Sequence, residues 1–153
     1  MRTKPIKRME ALRPLSREHH QALLLCWKIR AAFAKKIPLI RVKKYTDWFF
    51  IHHIQPHFEV EEQYIFPILG EQHPFVKKAL MQHRRIAKLF VEEEQIERSL
   101  SRLEDELAGH IRFEERMLFN EVQKVASRQE LRLIAEKHPF HHFEENTKDV
   151  FWD

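Results

Sequence analysis

The sequence predicts an all-α protein, an up-down-up-down four-helix bundle with a short extra C-terminal helix and a tail. Glycine occurs only twice among 153 residues, and charged residues make up 33% of the chain. An all-β fold would need many more turn residues. Apolar residues also recur at helical spacing in four long segments. At this length one domain is expected, spanning 1–153 with a core of about 12–124.

Capping and proline signals bound the first two helices. Ser16 is the predicted N-cap of the first helix, which runs to about Lys36. The second helix is expected to start at 39–41 and to end at 67–70. Pro56 lies inside the second helix, so a kink or a fresh start is expected there, because proline cannot donate the helical hydrogen bond.

Apolar stripes define the third and fourth helices. His73-Pro74 opens the third helix. Its connection to the fourth lies within 92–101, since one helix over 74–124 would be unusually long for a single domain. A short helix over about 127–137 and a tail follow. The stripes consist of Val76, Leu80, Ile86 and Phe90, and then of Leu100, Leu103, Leu107, Leu118 and Val122.

Composition and charge exclude several functional classes. The formal net charge is +4, and the basic clusters at 2–8 and 41–44 lack the interleaved aromatic residues of a nucleic-acid module. These clusters are expected to be solvated surface. No run of about 18 apolar residues occurs, and no apolar segment follows the basic N-terminus, which argues against a membrane span and a signal peptide. The single cysteine, Cys26, fits a reducing compartment, so we expect a cytoplasmic protein without nucleic-acid or membrane partners.

Two segments of the chain repeat the pattern H-x-x-x-E-E-x-x-[IL]-F, at 57–66 and at 110–119. A histidine and a glutamate four residues apart lie about 40° apart around a helix and one turn apart along it, so both can reach one ion. In both segments the next apolar residue continues the same stripe, which faces the core. The ligand pairs predicted in this way are His57 with Glu61 and His110 with Glu114.

The first and third helices supply further imidazoles. His83 lies on the apolar stripe of the third helix, while His19 and His20 lie on the first. Adjacent residues point about 100° apart, so only one of these two reaches a central ion. His20 is preferred, because an apolar leucine follows it three residues later, as an isoleucine follows His83. A rise of ~1.5 Å per residue places Glu61, His83 and Glu114 at similar depths, roughly 12–15 Å from a helix end.

Metal binding explains these residues better than ordinary core packing does. A lone histidine on an apolar face is usually a hydrogen-bonded core residue, and a Glu-Glu pair usually faces solvent. Two unpartnered glutamates in a bundle core would each cost several kcal/mol, however, so four histidines and two carboxylates at one level favour a metal site. Mixed nitrogen and oxygen ligands suit iron or manganese, whereas structural zinc favours thiolates. A metal-free helical interaction module remains the alternative.

Four segments resemble the hemerythrin-like (HHE cation-binding) family. They are R-E-H-H-Q-A-L-L-L at 17–25, H-F-E-V-E-E-Q-Y-I-F-P at 57–67, M-Q-H-R-R-I around His83, and H-I-R-F-E-E-R-M-L-F at 110–119. The resemblance covers about 12–124 and implies a non-haem centre of two iron ions, with manganese or zinc as substitutes. It implies that Glu61 and Glu114 bridge the two ions. The terminal ligands that it implies are His57, His83, His110 and one of His19 and His20.

Departures from the family pattern bear on function. Oxygen-carrying hemerythrins have a second histidine one turn beyond the ligand of the third helix, where this chain has Ala87, and an aspartate where it has Glu115. The pattern is more similar to relatives implicated in iron-sulfur cluster repair and iron sensing. The resemblance therefore implies sensing, storage or redox handling of iron, oxygen, nitric oxide or peroxide. The alternatives are a peroxidase- or ferroxidase-like enzyme and an iron-sulfur cluster repair protein. His53 lies one turn before His57 and is interpreted as a core histidine, with an additional ligand or a residue that supports a ligand as the alternative. The cluster from His138 to Glu145 is interpreted as a tail that covers one end of the bundle.

Overall fold

Helices account for the regular structure of the described part of the chain. The structure is a computed structural model that describes residues 7–153, so Arg2 and Lys4 of the first basic cluster lie outside it. The all-α prediction is confirmed, since residues 7–153 contain no strand. After a 3₁₀ turn at Glu10–Leu12, the helices are α1 Arg13–Ala34, α2 Leu39–Phe49, α3 Gln55–Val60, α4 Phe66–Leu69, α5 Pro74–Val91, α6 Ile96–Phe113, α7 Phe119–Val125 and α8 Arg128–Lys137.

Three π-helical turns join the shorter helices into longer stretches. In each turn, the amide of the following residue donates to the carbonyl five residues earlier, so one extra residue enters the helix without ending it. Residues 39–69 and 96–125 are therefore each one helical stretch. Of the kink or fresh start predicted at Pro56, the fresh start is absent, because the helix continues through a π turn that ends just before this proline. The turns are Phe50–Ile54, Glu61–Ile65 and Glu114–Leu118.

Most predicted helix ends agree with the structure to within two residues, but the prediction that Ser16 caps the first helix is wrong. α1 begins about one turn earlier, with Pro14 in its first turn. The fixed φ of proline is preorganised for that position and therefore favours the earlier start. The Ser16 hydroxyl instead donates to Glu115, at 2.8 Å. Ser127 does cap α8, and Glu130 completes a capping box.

Two apolar clusters fill the interior, one on each side of a polar level. α1 and α5 both pack against α6. Along each long helical stretch, the buried apolar residues belong to one cluster before the polar level and to the other cluster after it. The polar level itself consists of buried histidines and glutamates. The predicted stripes are confirmed, although Leu80 is only partly buried. The Leu103 cluster includes Leu25, Ile29, Phe49 and Phe90, and the Leu118 cluster includes Leu15, Ile65, Val76 and Phe119.

The C-terminal tail packs along α1 and α2 and contributes to the core. Phe151 is 2% exposed in the Leu103 cluster, and its ring meets that of Tyr45 edge-on at 5.7 Å between centroids. The buried Lys28 ammonium donates to the Tyr45 hydroxyl at 2.8 Å and pairs with Glu145. The tail is therefore fixed by apolar burial and by a partly buried ion pair.

Two residues of the basic clusters are not solvated as predicted. The Arg8 guanidinium donates to the Glu115 carbonyl at 2.7 Å and to Gln123 at 3.1 Å. Lys43 is buried and donates to the Phe90 carbonyl. In both cases the charged group donates to oxygen acceptors of the protein. Within residues 7–153, no helix combines the length and apolarity needed to cross a membrane.

We expect Phe151→Ala to destabilise the protein by about 3–5 kcal/mol, because it removes a large buried side chain and leaves a cavity. Phe140→Ala is the matched control, since Phe140 lies in the same tail but is 49% exposed. Urea unfolding followed by circular dichroism measures both values. Equal effects of the two substitutions would show that the tail is not part of the core.

Candidate metal centre

Six titratable side chains occupy the polar level between the two apolar clusters. All six are buried, and the two glutamates are 0% exposed. They come from α1, from the stretch 39–69, from α5 and from the stretch 96–125, so that all four long helical stretches contribute. The six are His19, His57, Glu61, His83, His110 and Glu114.

These residues form two ligand sets that share their carboxylates. In each set, the candidate ligand atoms lie within 4.8 Å of one another. His83 Nε2 lies 3.1 Å from Glu61 Oε1, and His19 Nε2 lies 2.9 Å from Glu114 Oε1. Each set offers two imidazole nitrogens and two carboxylates, which is enough to hold a metal ion. One set is His19, His57, Glu61 and Glu114, and the other is His83, His110, Glu61 and Glu114.

Each histidine turns Nε2 toward the shared carboxylates while its Nδ1 donates a hydrogen bond outward. An imidazole whose Nδ1–H is held in this way presents the Nε2 lone pair in a fixed direction, as is typical of metal-ligating histidines. The orienting acceptors are Glu115 for His19 at 2.7 Å, Glu18 for His57 at 2.7 Å, Glu62 for His83 at 2.8 Å and Gln82 for His110 at 2.6 Å.

The orienting residues form a closed cycle around the site. Each acceptor is adjacent in the sequence to a candidate ligand. It accepts a hydrogen bond from the histidine of the next helical stretch. Glu18 on α1 holds His57, for example, and Glu62 on the same stretch as His57 holds the histidine of α5. The cycle continues from α5 to α6 through Gln82 and returns to α1 through Glu115. Four short hydrogen bonds therefore link the four stretches at one level.

Several buried polar atoms of the site lack partners among the described residues. They are Glu61 Oε2, Glu114 Oε2 and His110 Nε2. A buried polar atom without a hydrogen bond costs about 1–3 kcal/mol, and more when it is charged. A cation between these atoms would remove that cost, so the donor set fits a metal.

The raised pKa values of three residues in the site also fit the binding of a cation. Burial raises the pKa of Glu61 well above its ordinary value, and the adjacent Glu114 raises it further. Burial alone would lower the pKa of His19 and of His83, but hydrogen bonds from each imidazole to two glutamates outweigh it and raise each pKa to about 9. Protons therefore balance the buried carboxylates of the metal-free chain. A metal cation would take over that role and release them.

The two glutamates each open a π turn, which the sequence analysis did not predict. Glu61 begins the turn Glu61–Ile65, and Glu114 begins the turn Glu114–Leu118. π turns inside α-helices are frequent at functional sites. Pro67, just after the first turn, cannot donate a helical hydrogen bond and so favours an irregular ladder there. The second turn has no proline near it, and we find no sequence signal for it.

The preference for His20 over His19 is wrong. His19 is 3% exposed and faces Glu114, whereas His20 is exposed and belongs to neither ligand set. The preference depended on Leu23, which is itself 37% exposed. The buried face of α1 instead contains Leu15 and Ala22, which lie before and after His19 in the sequence. Ala22 is a small residue, but it is 3% exposed and belongs to the Leu103 cluster, so it marks the inner face of α1.

Other candidates lie around the site. Glu115 is an orienting residue and belongs to neither ligand set. His53 is half-buried, packs against Trp48 at 5.0 Å between ring centroids, and has its pKa lowered by burial. Ala87 packs beside the Leu103 cluster and offers no ligand atom. In the tail, His138 donates to Glu18, which the sequence analysis had not linked to the site.

We expect His19→Ala to reduce the metal bound per chain by at least half, because it removes one nitrogen from a ligand set. His20→Ala is the matched control and should leave metal content unchanged, since its side chain is exposed. Elemental analysis after anaerobic equilibration with ferrous iron measures both. A larger loss in His20→Ala would mean that α1 is rotated by one residue relative to this structure.

Comparison with protein families, curated proteins and solved structures finds no match for this chain. The resemblance to hemerythrin-like proteins therefore depends on the four sequence segments alone. The ligand sets and their orienting residues stand independently of that resemblance, because they follow from the distances and the burial in this structure.

Proposed function

We propose that this protein is a hemerythrin-like four-helix bundle that holds two iron ions and uses them in sensing, storage or redox handling. The observation that carries the proposal is the sharing of Glu61 and Glu114 by two buried ligand sets. Two ions, one for each set, would be held by all six residues, with Glu61 and Glu114 common to both sets. The alternating order of the two apolar clusters along successive helices supports the up-down-up-down arrangement.

Iron is the metal that the donor set favours. Each set offers two imidazole nitrogens and two carboxylates without a thiolate, a mixture suited to iron or manganese. Cys26 is no alternative ligand, because it is buried in the Leu103 cluster and burial raises the pKa of its thiol to about 12. Zinc could occupy the sites as a substitute, since four donors also suit its tetrahedral preference.

Small molecules have a route to the centre. A cavity of about 580 Å³ is lined by His19, His57 and His110 together with apolar side chains such as Phe58 and Ile111. With two nitrogens and two shared carboxylates from the chain, iron would keep positions for an outside ligand. Bound iron would supply one-electron chemistry toward oxygen, nitric oxide or peroxide. The chain holds the imidazoles in place and excludes bulk water from the buried carboxylates.

A metal-dependent enzyme is the second candidate function, and the size of the cavity favours it. Pockets of about 300–1,000 Å³ take ligands much larger than a diatomic gas. Mostly apolar walls next to the ligand sets would suit an organic reductant. Repeated turnover of peroxide with an aromatic reductant by iron-loaded protein would support this candidate, and stoichiometric oxidation alone would contradict it.

We expect two iron ions per chain in protein made with adequate iron and purified without chelators, one for each ligand set. The oxidised protein should absorb in the near ultraviolet. Glu61→Ala should lose most of the iron, because Glu61 belongs to both sets, while the exposed Glu59→Ala should retain it. Elemental analysis that returns one tightly held zinc and no iron would contradict the proposal.

The reduced protein should oxidise quickly in air and should not return to the reduced spectrum when oxygen is removed. The physical reason is that α5 supplies one imidazole only, so that the centre stays open to inner-sphere attack. Stopped-flow mixing of anaerobic, iron-loaded protein with oxygen follows the near-ultraviolet and visible bands. Recovery of the starting spectrum under nitrogen would instead indicate reversible oxygen carriage.

A further inference from the structure

The four orienting residues differ in how firmly they are held. Glu18 accepts hydrogen bonds from His138 at 2.9 and 3.0 Å, in addition to the one from His57. Glu115 is held in a similar way, by the Ser16 hydroxyl at 2.8 Å and by Arg8 at 3.4 Å.

The other two orienting residues are weaker. The Glu62 side chain is 46% exposed and accepts no second hydrogen bond from residues 7–153. Gln82 is a neutral amide, so its oxygen polarises the His110 ring less than a carboxylate would. The contrast follows the ligand sets: the firmly held carboxylates serve His19 and His57, and the weaker acceptors serve His83 and His110.

We propose that the two metal positions are unequal, and that the C-terminal tail strengthens the His19–His57 position through His138 and Glu18. This inference depends on the proposed function, since it requires that metal occupies both sets. His138 is a positioning residue, because it touches Glu18 and no ligand atom of either set. A firmly held carboxylate fixes the tautomer of the ligand imidazole and raises its basicity, and loss of such a partner typically lowers metal affinity 10- to 100-fold.

The tail is built to keep His138 in place. Its later residues are anchored by the ion pair between Lys28 and Glu145 and by the burial of Phe151. α8 ends at Lys137, so His138 is the first residue beyond it and lies between two fixed segments. The contact with Glu18 therefore joins residues 120 positions apart in the sequence. Tail docking and the orientation of His57 depend on each other through this contact.

The test measures release of ferrous iron to an excess of chelator under anaerobic conditions. The wild-type protein should release one ion quickly and one slowly. His138→Ala should speed the slow phase about tenfold and leave the fast phase unchanged. His138→Gln should restore the slow phase, because its amide can donate to Glu18. The matched control His142→Ala should behave as wild type, since His142 is exposed in the same tail.

The reciprocal variant is Gln82→Met, which keeps the size of the side chain but removes the acceptor for His110. It should speed only the fast phase. Two bound ions released in one phase, or a slow phase unaffected by His138→Ala, would overturn the inference while leaving the proposed function intact. Wild-type protein that takes up no iron would overturn both the inference and the proposed function.

A second measurement does not depend on the folding of any variant. Hydrogen exchange of wild-type protein, compared with and without ferrous iron, should slow in the backbone amides of 138–145 when iron is bound. The exposed face of α8 serves as the internal reference. Equal exchange of 138–145 in the two states would overturn the inference.

Discussion

Two carboxylates buried side by side, those of Glu61 and Glu114, are the constraint to which the interior is fitted. Neither has any exposed surface, and each keeps one oxygen without a hydrogen bond among the described residues. Such a pair is tolerated only when positive charge or protons balance it. The surrounding imidazoles, the raised pKa values of His19 and His83, and the division of the apolar core into two clusters all follow from that requirement.

The cycle of orienting hydrogen bonds explains why each site motif holds two polar residues in a row. One residue of the pair is a candidate ligand, and its neighbour turns the imidazole of the next helical stretch. Glu62 and Glu115 follow the glutamates of the two H-x-x-x-E units, whereas Glu18 and Gln82 precede the histidines of α1 and α5. Without the orienting acceptor from another helical stretch, each histidine would lose the hydrogen bond that fixes its ring, and the ligand set would lose its geometry.

The sequence was sufficient for the helices and for five of the six candidate ligands, because both depend on local spacing. It failed for the choice within His19-His20, since the buried face of α1 is set by tertiary contacts, which place Leu15, His19 and Ala22 inside. It also missed the π turns at Glu61 and Glu114, because Pro67 is the one local signal for the first turn and the second turn has none. The roles of Glu18 and Gln82 depend on partners 39 and 28 residues away, which spacing within one helix cannot reveal.

The candidate ligands come from positions as far apart as His19 and Glu114, so a cation held there would exist only in the folded chain. Binding to the folded state alone adds about 2.7 kcal/mol of stability when the free metal is a hundredfold above its dissociation constant. The fraction of unfolded molecules, and with it the rate at which proteases remove the protein from a cell, would then fall as metal becomes plentiful. The lifetime of the chain would itself report on the supply of its metal.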